Sequence, residues 1–141
     1  MKELMDLDEC KQKRLIKKIK PDSPLIISLI ETGNRKIQTN NQIELNDITA
    51  STKVTIIYDS LREILEAVAI QRGIKIYNHE CFCAFLTEIC GEELFSVKFN
   101  KFRKIRNSIN YYGKNITLKE AEIIIQEMIH LRKEIKEKLL N

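Results

Sequence analysis

Glycine, proline and tryptophan are scarce in this sequence: four, two and none among 141 residues. A glycine-dependent nucleotide loop or a loop-rich β-sandwich uses such turn residues repeatedly, so both are disfavoured. No apolar run reaches the roughly eighteen residues of a membrane span, so a membrane protein is not expected. Residues 1–20 mix acids and bases around no apolar signal core, which points to a cytoplasmic protein. In that setting Asn115-Ile116-Thr117 is a chance match to a glycosylation sequon. The sequence also lacks a Gly-rich phosphate loop, GxSxG, HExxH and paired-Asp motifs, and its two histidines, His79 and His130, complete no metal set. No metal and no cofactor are expected. His79 lies beside a predicted helix start and His130 within an ordinary amphipathic helix, and a structural or surface role is expected for both.

The four cysteines, Cys10, Cys81, Cys83 and Cys90, are expected to be reduced, buried thiols in a cytoplasmic chain. Cys81 and Cys83, two apart on a helix, point about 200° from each other and cannot share one ion without breaking it.

What is present is hydrophobic and charged: 43% and 31% of residues, enough for one compact core. Apolar spacings of three and four predict an all-α, antiparallel bundle of five or six helices in a single domain, residues 1–141, with 47–139 as the core bundle. A first helix is predicted over 2–20, stopped by Pro21, with a partial stripe of Leu4, Leu7, Leu15, Ile16 and Ile19. Ser23-Pro24 then starts a short helix ending near Gly33, and the polar, Asn-rich residues 34–46 read as a loop. The clearest helix is capped by Asp47, carries Val54, Ile57, Tyr58, Leu61, Ile64, Leu65 and Val68, and ends at Gly73. Asn78 caps the next, with Phe82, Phe85, Leu86 and Ile89, and Gly91 ends it. A helix from Glu92 to about Tyr112-Gly113 buries Phe95, Phe99, Phe102 and Ile109. Thr117 and Glu120 form a capping box for the last helix, whose stripe is Ala121, Ile124, Ile125, Met128, Leu131, Ile135 and Leu139.

The total charge of +4 hides a segregation. From Leu94 to Lys119 there is no acid, while Lys98, Lys101, Arg103, Lys104, Arg106, Lys114 and Lys119 are basic; elsewhere 17 basic residues are outnumbered by 20 acidic ones. Arg103, Arg106, Asn107 and Asn110 share one helix face. Guanidinium forks bind phosphate, Asn side chains donate and accept beside them, and Tyr111 and Tyr112 can stack on bases. The same residues could instead pair with neighbouring acids and pack into the bundle, and the side-chain chemistry alone leaves both open.

Arg106-Asn107-Ser108-Ile109-Asn110-Tyr111-Tyr112-Gly113, closing the penultimate helix of a small all-α protein, resembles the signature of the HEPN superfamily. Arg62-Glu63 through Ala69, then Gly73 and Asn78-His79-Glu80, is similar to the family's long helix, glycine-ended turn and following helix. The resemblance covers roughly residues 47–139. It implies a homodimer whose motif helices face one cleft, and the broad apolar surface of residues 54–68 is a separate motive for expecting a dimer. Many members are metal-independent ribonucleases, often toxins paired with a nucleotidyltransferase-type antitoxin, and others bind nucleotides or have lost activity. The family pattern leaves four to six residues between the Arg and a His. Here that window falls on Tyr111, Tyr112 and Gly113 from Arg106, and on Ser108, Ile109 and Asn110 from Arg103, and neither holds a His. A tyrosine with pKa near 10 is a poor base at neutral pH, and losing an acid–base group costs about 10² to 10⁴ in rate. The expectation is an RNA- or nucleotide-binding protein of degenerate activity, with Arg106, Asn107 and Tyr111 at its centre. Lys101, Arg103, Lys104, Asn110, Tyr112 and Lys114 are the expected surrounding contacts. An active endoribonuclease using tyrosine, and a module docking an acidic protein partner, are the alternatives.

Overall fold

The computed structural model describes residues 4–141 and is an all-α bundle with one very small sheet. Its elements are α1 (Leu7–Gln12), β1 (Ile16–Lys18), α2 (Ser23–Gln42), α3 (Ala50–Gln71), β2 (Ile74–Ile76), α4 (Cys81–Ala84), a π-helical turn (Phe85–Ile89), α5 (Glu93–Tyr112) and α6 (Leu118–Leu139).

The bundle is built around α3, which packs chiefly against α2 and α6 and also meets α5. Its stripe from Val54 to Val68 is buried, and Ala67, Ala69 and Ile70 extend burial around the axis. Residues such as Ile57 and Leu61 each contribute about 1.5–3 kcal/mol by leaving water. The surface of residues 54–68 is therefore consumed within the chain and is not exposed for a second copy. Gly73 ends α3 with a φ of 75° and turns the chain into β2.

The predicted helix over 2–20 is not formed among the described residues; its first two positions, 2 and 3, lie outside them. Asp6 caps the short α1, accepting from the Glu9 amide at 2.9 Å. Arg14, at φ 57°, then turns the chain so that β1 pairs antiparallel with β2, Ile16 opposite Ile76. Three residues per strand are too short for a legible alternation.

The polar residues 34–46 are not a loop either: α2 continues through Gly33 to Gln42. Gly33 serves a close approach, since a Cβ there would sit 2.7 Å from Arg132 Nη2 on α6 and 3.4 Å from the Ser60 carbonyl on α3. The far end of α2 is held by Lys53, whose ammonium donates to the carbonyls of Asn40 and Ile43 and satisfies acceptors that a helix end leaves bare. Asp22, one residue before the expected cap, accepts from the Leu25 amide. Asp47 does not cap α3; its carboxylate accepts from the Leu118 amide at the start of α6, while Asn46 holds the amides of Ile48 and Thr49.

Helices α5 and α6 follow the sequence pattern closely. Phe95, Phe99 and Phe102 are buried, and Gly113, at φ 64°, ends α5. Thr117 caps α6 by accepting from the Glu120 amide, as expected, while the Glu120 carboxylate accepts from the Thr117 hydroxyl rather than from the backbone amide that a full capping box uses. The cysteines depart from expectation. Cys10 and Cys81 form a disulfide across 71 residues that ties α1 to α4, leaving Cys83 buried and Cys90 half-buried as thiols. The two partners lie on separate elements, so their proximity is a product of tertiary packing that spacing along the chain does not encode.

Candidate phosphate-binding pocket

The acid-free stretch lies largely on α5, where steps of three and four place Arg103, Arg106, Asn107 and Tyr111 along one face. These four meet residues from the β2–α4 connection, Tyr77, Asn78, His79 and Glu80, around an open cavity of about 340 Å³. The remaining predicted contacts lie elsewhere. Lys101 turns toward α6, 3.1 Å from Glu127, and covers the ring of Phe102. Lys104, Asn110, Tyr112 and Lys114 are exposed and do not line the cavity.

Both arginines are positioned by something other than a carboxylate. The Arg106 guanidinium lies 5.5 Å from the Tyr58 ring centre and 5.9 Å from that of Tyr111, an arrangement that keeps the cation's N–H groups unspent. Arg103 directs Nε and Nη2 onto the Asn100 amide oxygen at 3.1 and 2.9 Å and also bonds the Cys83 side chain, so its donors are held by neutral partners. Among the described residues, no carboxylate forms an ion pair with either guanidinium. The acid in the lining, Glu80, accepts from the Met5 amide at 2.7 Å.

The cavity also holds a buried polar pair. Tyr58, on α3, is fully buried, and its hydroxyl meets His79 Nδ1 at 2.9 Å. Phe99 stacks against Tyr58, with 5.7 Å between ring centres, and helps fix the buried ring. Burial pushes the Tyr58 hydroxyl well above its ordinary value, outweighing the lowering by Arg106, Arg103 and Arg62. The same burial, joined by Arg62, Arg106 and Arg103 against a weaker pull from Asp59, lowers His79 to about 4. At neutral pH the pocket thus holds a protonated phenol beside a neutral imidazole. Burial likewise raises the Cys83 thiol, against the opposing effect of Arg103, so this cysteine is not a thiolate near neutral pH.

Tyr77 and Tyr111 stand at the rim, 58% and 68% exposed, which presents ring faces that are not used in the core. Two guanidinium forks, two amides and an imidazole between exposed rings form a site suited to an anion carrying a flat, stackable group.

Sequence reasoning found the α5 half of this cavity and missed Tyr58, Tyr77, Asn78, His79 and Glu80 as its other wall. A signal existed for one pair: a tyrosine inside a buried stripe needs a partner for its hydroxyl, and the nearest following histidine is His79. His130 is the bland one of the two, exposed and 3.3 Å from Glu134 one turn on. No protein-family model, curated protein or solved structure matches this chain.

Proposed function

We propose that this protein is a HEPN-like helical protein that binds RNA or a nucleotide by phosphate, acting as a homodimer. Arg103, Arg106 and Asn107 supply the phosphate contacts, and Tyr111 and Tyr77 supply stacking surfaces. The observation that carries the reading is the convergence of two carboxylate-free guanidinium groups on one cavity with two exposed tyrosine rings. Surface arginines without a purpose commonly lie against acids, and this chain has 20 acids available.

The test is the affinity of a labelled oligoribonucleotide across a salt series, for the wild type and Arg106→Ala. Phosphate binding weakens steeply as salt rises, and Arg106→Ala reduces affinity at every salt concentration. Affinity indifferent to both salt and Arg106 would overturn the reading and leave the basic face of α5 for an acidic protein partner such as a nucleotidyltransferase-type antitoxin. Sedimentation at micromolar concentration tests the homodimer separately.

A second reading, metal-independent RNA cleavage, is favoured by one observation. The imidazole missing from the α5 motif is supplied to the cavity from the β2–α4 connection as His79. Neutral at pH 7, it can accept a 2′-hydroxyl proton, while the Tyr111 phenol donates one to the departing 5′-oxygen. Cleavage in EDTA that is lost in Arg106→Ala supports this reading; intact RNA with a folded wild type refutes it and leaves the protein a binder.

A further inference from the structure

Phosphate chemistry distinguishes two ligands that the same arginines could hold. An internal diester carries one negative charge, and a terminal monoester carries close to two at neutral pH. We propose that the pocket is built for a terminal phosphate monoester, whose charge is met by Arg103, Arg106 and a proton that His79 takes up on binding. This rests on the phosphate-binding reading above and adds the ligand class and the linked proton.

The geometry argues as follows. Tyr58 fixes the imidazole through Nδ1 at 2.9 Å and leaves Nε2 for a ligand. A phenol is both donor and acceptor. It can donate to Nδ1 while the ring is neutral, then rotate its hydroxyl and accept from Nδ1–H once the ring is charged. His79 can therefore gain a proton without losing its buried partner. The proton comes from solvent, no covalent bond changes, and the charged ring gains a donor for the phosphate.

The surroundings decide when this happens. On α3, Arg62 and Asp59 face His79, with Arg62 also held by Glu66 at 2.8 Å. On α5, Arg103 and Arg106 face it, and Glu80 adjoins it in the same wall with one oxygen on the Met5 amide. Burial is the first cause that keeps the imidazole neutral, and Arg62, Arg106 and Arg103 add to it against the opposing pull of Asp59. A dianion against Arg103 and Arg106 offsets the positive charge that adds to the burial cost of the proton, and its own attraction works against that cost. A monoanionic diester leaves one guanidinium charge uncompensated, and the ring stays neutral.

A mononucleotide and a phosphorylated RNA end share this chemistry, and the test separates them. The imidazole resonances of His79 are followed by NMR from pH 5 to 8 with uridine 5′-monophosphate, with a short 5′-phosphorylated oligouridylate, and with the same oligomer bearing a 5′-hydroxyl. Only two histidines need assignment, and Arg103→Ala, His79→Gln and Tyr58→Phe provide controls. Without ligand His79 stays neutral to pH 5. Its titration rises by about three units with a phosphorylated ligand, enough for proton uptake near neutral pH, with either the nucleotide or the RNA end as the better source. The hydroxyl-ended oligomer produces no such rise. Equal binding of both oligomers, with the ring neutral throughout, would overturn the monoester assignment while leaving phosphate binding intact. Absence of binding by all three would remove both.

Discussion

Reduction of the Cys10–Cys81 disulfide is the perturbation whose size follows most directly from the structure. The bond closes a loop with a sequence separation of 71 residues. Chain-entropy reasoning for such a loop gives about 4 kcal/mol at 25 °C. Residual contacts in the reduced, unfolded chain lower that figure, so a loss of about 2–4 kcal/mol is expected. Against a total of roughly 5–15 kcal/mol, this is a large fraction. Other ties on this segment include the Met5 amide on Glu80, the Leu7 amide on Glu88, and the three-residue pairing of β1 with β2. Urea denaturation of the oxidised protein, the reduced protein and Cys10→Ser/Cys81→Ser reads the effect, and both perturbed forms should lose stability alike. Alkylation in denaturant without reductant should label two of the four cysteines. Four labelled thiols, or a midpoint unchanged by reduction, would refute the reasoning.

Arg106→Ala should weaken RNA or nucleotide binding roughly 10- to 100-fold, the loss of a few charge-assisted hydrogen bonds, while the denaturation midpoint moves little. Phe99→Ala removes a fully buried ring between Tyr58 and Phe82 and should cost about 3–5 kcal/mol in a denaturant titration. Because the folded-state pKa of His79 is lowered from 6.5 to about 4, its contribution to stability is present above pH 6.5 and is lost as pH falls toward 4. Comparing urea midpoints of the wild type and His79→Gln across that window should show a steeper acid loss in the wild type; identical slopes would contradict the neutral, partly buried imidazole.

The parts of the fold legible in the sequence are those where one residue type at one spacing has a single good explanation. The stripe from Val54 to Val68, the three phenylalanines of α5, Gly113 and the Thr117 cap all have local causes. Gly33 misled because its role lies in another helix: the glycine that reads as a stop is space for Arg132, and the helix continues. Asp47 misled in the same way, since its carboxylate serves a helix that begins 71 residues later. The cavity divided along the same line. Arg103, Arg106 and Asn107 share a helical face that spacing makes visible, Asn110 on the same expected face does not line the cavity, and Tyr77 to Glu80 join the three only through the turn after β2. Asn78-His79-Glu80 was read as a helix start, but Asn78 closes a turn onto the Glu80 amide and α4 begins at Cys81. That turn carries His79 to Tyr58.

The most direct measurement is the perturbation of backbone and arginine side-chain NMR signals on adding uridine 5′-monophosphate to the folded protein. The pocket reading predicts saturable shifts at Arg103 and Arg106 Nε–H and at the amides of residues 77–80 and 107, with Lys98, Lys101 and His130 on the α5–α6 groove unmoved. Shifts confined to that groove, or none at millimolar nucleotide, would contradict it.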